Sequence, residues 1–95
     1  MKKIKKTDRI VRENEPLYVM SVASRICSIP EWTLRMIDKE GILSPARSRG
    51  EHRIYSQEEI KKLLEIKKLM KRKINREGIR MIMTLRRELE IVKIK

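Results

Sequence analysis

The feature that most constrains this chain is a tight break at Ser28-Ile29-Pro30, with a short apolar run before it and another after it. Val22, Ala23 and Ile26 recur at helical spacing before the break, and Ser21 stands where an N-cap hydroxyl would accept a bond from a first-turn amide. After the break, Leu34 and Ile37 form the apolar stripe of a second helix over about Glu31 to Glu40. Pro30 suits the start of that helix, where its missing amide would be unpaired anyway. Gly41 ends it, because glycine takes a left-handed C-terminal conformation without penalty. Two short helices joined by a short turn form a helix-turn-helix, whose second helix commonly enters a DNA major groove.

Downstream, Ile42-Leu43 reads as a buried pair and Pro45 as a break. Ala46 to Tyr55 reads as a two-stranded hairpin with its tip near Ser48-Arg49-Gly50-Glu51, and Gly50 is expected to supply the positive φ of the turn. Arg47, Arg49, His52 and Arg53 cluster around that tip. Ile54 and part of Tyr55 are expected to anchor it to the core. Basic side chains beside a major-groove helix grip phosphate and set position rather than read sequence. The bland alternative is a solvated loop.

Ser56-Gln57-Glu58-Glu59 is a capping box opening a third helix to about Arg72. Ile60, Leu63, Leu64 and Met70 fall broadly on one face, widened by Ile66 and Leu69. Lys61, Lys62, Lys67, Lys68 and Lys71 make up the other, read as a solvated face with phosphate contact secondary. Asn75 caps a fourth helix, with Gly78 in its first turn. Ile82, Leu85, Leu89 and Val92 then follow at spacings of three, four and three, an a/d seam. Ile79 and Ile82 are assigned to the core, Leu89 and Val92 to a dimer contact.

Four blocks carry a family resemblance: Tyr18-Val19-Met20-Ser21-Val22-Ala23; Thr33-Leu34-Arg35; Glu40-Gly41-Ile42-Leu43-Ser44-Pro45-Ala46-Arg47; and Arg53-Ile54-Tyr55-Ser56. In this order and spacing the chain closely resembles the DNA-binding domain of MerR-family transcription regulators. Pro16-Leu17-Tyr18-Val19 and Ile74-Asn75-Arg76-Glu77-Gly78-Ile79 look like the heat-shock repressor (HspR-like) branch, with the glutamine-synthetase repressor branch a close second. The implied fold is mainly α: a winged helix-turn-helix with four helices and a small two-stranded β wing. The expected division is a disordered basic tail over 1–15, the DNA-binding domain over 16–74, and a C-terminal helix over 75–95 that serves dimerisation through Leu85, Leu89 and Val92.

The resemblance implies that Ser21, Trp32, Thr33, Arg35, Met36 and Lys39 meet the duplex from the helices. From the wing it implies Arg47, Arg49, His52, Arg53 and Tyr55. Arg35 is the leading contact, to a guanine edge or a phosphate, since a guanidinium fork suits both. Its local alternative is an intrahelical pair with Glu31 or Asp38. Met36 and Trp32 depart from the family pattern. They either touch thymine methyls or sugar, or Trp32 packs on its own domain, which is favoured because indole wants burial.

A net charge of +12 on 95 residues suits a polyanion partner. The single cysteine, Cys27, excludes an internal disulfide and is read as a small core residue rather than a redox sensor. His52, the only histidine, has no companions for a metal. No apolar run reaches the length of a membrane span, and no signal-peptide core is present, so a cytoplasmic, nucleoid-associated protein is expected. No phosphate loop or paired catalytic constellation points to an enzyme, and no cofactor is expected. The leading function is a homodimeric repressor on an inverted repeat of double-stranded DNA, tied by resemblance to stress genes. The alternative is an architectural or excisionase-like DNA-binding accessory protein; a protein adaptor that never touches nucleic acid comes last. The chain is expected to lack both a ligand-binding domain and a chaperone-engaging tail. Regulation then falls to a partner protein or to thermal loss of the dimer rather than to a small-molecule effector.

Overall fold

A computed structural model describes residues 12–94, with side chains described through residue 92. The elements are β1 (Pro16–Val19), α1 (Met20–Cys27), α2 (Glu31–Lys39), β2 (Ala46–Arg47), β3 (Arg53–Ser56), α3 (Gln57–Lys71) and α4 (Arg76–Ile94). Four helices surround one small antiparallel sheet of order β1-β3-β2. The hairpin expected from the sequence is present, and a third strand joins it. The lead-in segment β1 pairs with β3, setting Tyr18 opposite Tyr55 and Val19 opposite Ile54. That pairing bridges residues far apart in sequence, so no local pattern announces it.

Because β1 runs straight into α1, the helix opens two residues earlier than its capping pattern suggests. Val19 is the N-cap, without a side-chain bond, and Ser21 lies inside the first turn. Ala23 and Cys27 face the core, while Ile26 is exposed. The chain reverses through Ser28 in the left-handed region (φ 55°), with the Ile29 amide donating to the Ser24 carbonyl at 3.1 Å. Pro30 is the N-cap of α2, and Gly41 closes that helix at φ 74°.

At the hairpin tip, the Glu51 amide donates to the Ser48 carbonyl at 2.9 Å. The positive φ falls on Glu51 (65°), not on Gly50. A Cβ at Gly50 would lie 3.0 Å from the exposed His52 ring, a close approach that a small shift of that side chain relieves.

Ser56 opens α3 with the expected capping box. Its hydroxyl accepts from the Glu59 amide at 3.1 Å, and its own amide donates to the Glu59 carboxylate at 3.0 Å. Ile60, Leu63, Ile66 and Leu69 are buried, leaving Leu64 and Met70 at the exposed margins. Lys67 departs from the solvated lysine face, since its ammonium donates to the Cys27 carbonyl at 3.1 Å. A cation there complements the C-terminal end of α1. Asn75 opens α4 by accepting from the Gly78 amide at 2.8 Å. Ile79 and Met83 complete the core, with Ile82 packed at its edge.

Of the expected disordered tail, residues 1–11 lie outside the described residues. Residues 12–15 form a turn tied to α3: the Glu58 amide donates to the Glu13 carbonyl at 2.9 Å, and Lys61 pairs with the Glu13 carboxylate at 3.0 Å. No helix among the described residues is long and apolar enough to cross a membrane.

Candidate nucleic-acid interface

Helix α2 buries Thr33, Leu34, Ile37 and Asp38. At about 100° per residue, the opposite face must then carry Trp32, Arg35 and Lys39, spaced three and four apart. All three are exposed. Trp32 is 69% exposed, so the expected packing of its indole onto the domain does not occur. Met36 lies on the flank instead. It packs against the core and lines a recess with Ile37, Met70 and Ile79, turned away from the outward stripe. Thr33, at 4% exposure, faces inward, and both residues are corrected from outward-facing to core-facing.

The hairpin comes up beside this face. A groove of about 340 Å³ is lined by Val19, Met20 and Ser21 from the β1–α1 junction, Arg35 from α2, and Glu51, His52 and Arg53 from the hairpin. Ser21, Arg35, His52 and Arg53 are thus brought together on one concave surface. Arg49 is exposed at the hairpin tip. Tyr55 is not part of this surface. Its side chain is 1% exposed, because β3 is the middle strand and turns Tyr55 into the core. Burial pushes its phenol up to about 12, and its hydroxyl has no hydrogen-bond partner among the described residues.

Arg47 and Arg53 are the basic residues whose setting the sequence describes least well. They stand opposite each other in the β2–β3 ladder, so their side chains leave the same face of the sheet. Both reach Asp38. Arg47 Nη2 and Arg53 Nε donate to the same oxygen, Oδ2, at 2.7 and 2.6 Å. Burial alone would raise the Asp38 pKa. The hydrogen bonds from Arg53 and Ser44 and the positive charges of Arg47 and Arg53 outweigh it, holding the carboxyl below its ordinary value. Asp38 is the residue at the centre of this cluster, and its pairing with Arg47 and Arg53 is what sequence reasoning missed. The available signal was a carboxylate on an apolar stripe, which needs a cation to be buried at all. Arg35, left without Asp38, pairs loosely with Glu31 at 3.6 Å.

Elsewhere, the Cys27 thiol is buried, and that burial pushes its pKa up despite the nearby Lys67 charge. A protonated, enclosed thiol is a poor nucleophile. Among the described residues, no three His, Cys, Asp or Glu side chains are placed to hold a metal ion.

Two short helices with an exposed stripe on the second, flanked by a basic hairpin clasped to it, define a winged helix-turn-helix. Residues 18–85 match the family described as MerR HTH family regulatory protein, and the chain belongs to that family. It is 38% identical over 74 residues to the putative heat shock protein HspR of Streptomyces coelicolor, an alignment covering 77% of this chain and 49% of that protein. It is 28% identical over 85 residues to the HTH-type transcriptional regulator GlnR of Bacillus anthracis and of Bacillus cereus, covering 88% of this chain and 66% of each relative. The chain therefore spans between about half and two thirds of the length of these relatives.

Proposed function

We propose that this chain is a sequence-specific double-stranded DNA-binding transcriptional regulator, a homodimeric repressor acting on an inverted repeat in the cytoplasm, at the nucleoid. The supporting observation is the juxtaposition of the Trp32, Arg35 and Lys39 stripe with a groove that also takes in Ser21, His52 and Arg53. A recognition helix placed in the major groove would set Arg35 against base edges. Arg49 and His52 would then lie along the neighbouring phosphates. The names of the GlnR relatives speak for transcriptional regulation, and that of the HspR relative for a stress-linked set of genes. Nothing in this reading requires a cofactor or an enzymatic step.

The dimer rests on α4. Met81, Leu85, Leu89 and Val92 recur at spacings of four, four and three, and each is more than half exposed. A second copy related by two-fold symmetry would cover this stripe and present two recognition helices to two half-sites. Regulation by a partner protein or by thermal dissociation of the dimer belongs to the same reading.

Selection from randomised duplex DNA, followed by affinity measurements across a salt series, tests the proposal. The expected result is an enriched palindromic site whose affinity falls steeply with salt and exceeds that of unrelated duplex. Binding without an enriched site, spreading along the DNA, would instead favour the architectural reading. No salt-sensitive binding would reject both.

A further inference from the structure

Asp38 is the only buried charged residue among those described, and one of its oxygens accepts from arginines on both strands of the hairpin. Arg47 and Arg53 are directly opposed in the ladder, where two like charges repel. Without a carboxylate between them, both guanidinium groups would swing into solvent and the hairpin would lose its tie to α2. With it, each arginine spends one donor on Asp38 and keeps others. A guanidinium carries five N–H donors, and Arg47 retains 39% of its side-chain exposure. Arg53 simultaneously lines the groove shared with Arg35 and Ser21.

Resting on the DNA-binding reading above, we propose that Asp38 is a positioning residue for nucleic-acid recognition. Its carboxylate clasps the wing to the recognition helix and holds the spare donors of Arg47 and Arg53 in register with one phosphate strand. The ligand chemistry is the duplex backbone, so the effect is common to all sequences rather than specific to one.

The sign of the expected effect separates this role from simple electrostatics. Asp38 is a negative charge close to a polyanion site. On Coulomb grounds alone, removing it strengthens DNA binding. If Asp38 positions the two arginines, removing it weakens binding although the net charge rises.

The test measures affinity and salt slope for the full chain and for Asp38→Asn and Asp38→Ser, on the selected duplex and on an unrelated one. Each variant is first checked for folding by its circular dichroism melt. The expected result is roughly tenfold weaker binding on both duplexes, with a salt slope shallower by about 1 to 2, as for one or two lost phosphate contacts. In an Arg47→Gln/Arg53→Gln background, adding Asp38→Asn should weaken binding no further. Binding equal to or tighter than wild type in a folded variant overturns the proposal, as does failure of both variants to fold at the assay temperature. A wild-type chain that binds neither duplex would instead reject the DNA-binding reading itself.

Discussion

Arg35 Nη2 lies 3.6 Å from Glu31 Oε1, one turn earlier on α2, with both side chains about half exposed. A pair this exposed is worth only about 0.2–1 kcal/mol, so Arg35 can leave it readily. Arg35→Ala should weaken binding to the selected duplex by about 1–3 kcal/mol if it reads a base edge. Glu31→Gln should strengthen binding on every sequence by freeing the guanidinium and removing a charge of the wrong sign. Fluorescence anisotropy on matched and mismatched duplexes checks both. An equal loss from Arg35→Ala on all sequences would demote it to a phosphate contact.

Acid should find the Asp38 clasp. Its folded pKa is depressed below the ordinary 3.8, so its contribution to stability is present above that value and lost as pH falls through the folded pKa. Melting temperature should therefore drop more steeply below about pH 4 in the wild type than in Asp38→Asn. Parallel curves would mean that the clasp adds nothing to stability.

Alkali should find Tyr55, with the opposite sign. The folded phenol is raised from 10.0 to about 12, so the native state holds its proton more tightly than the unfolded chain does. That stabilisation is complete below pH 10 and is lost as pH rises toward about 12. Tyr55→Phe should blunt this alkaline loss. At neutral pH it should melt no lower than wild type, because the hydroxyl it deletes has no partner among the described residues. A clearly lower melting temperature at neutral pH would reveal a hydroxyl interaction missing from this account.

The α4 stripe predicts the outcome of charge insertion. Leu89 and Val92 are 63% and 67% exposed, so Leu89→Lys with Val92→Lys removes no core contact from the single chain. Light scattering should find a folded monomer with an unchanged circular dichroism spectrum. A dimer of undiminished stability would reject the seam.

Local chemistry made much of this fold legible. The Leu34 and Ile37 stripe, the Gly41 stop, the Ser56–Glu59 box and the Asn75 cap each depend on residues within one or two turns, and each stands where its pattern puts it. What the pattern could not carry was partnership at long range. Tyr55 is buried because β1 pairs on the far side of β3, and β1 lies over thirty residues earlier. Asp38 turned away from Arg35 because Arg47 and Arg53, nine and fifteen residues on, arrive on one sheet face. Trp32 was expected to bury its indole; the helix phase set by Leu34 and Ile37 leaves it outside. Thr33 turned inward through that same phase, whereas Met36, on the flank, is half-buried by the neighbouring Met70 and Ile79.

The central claim is that the α2 stripe and the hairpin form one face for a duplex. Titrating the selected duplex into isotopically labelled protein and following backbone amide shifts tests it directly. The account predicts the largest changes at Ser21, Trp32, Arg35, Lys39 and residues 47–53, with little change at Lys68 and Lys71 on α3. Changes concentrated on that α3 lysine face, with α2 and the hairpin silent, would contradict it.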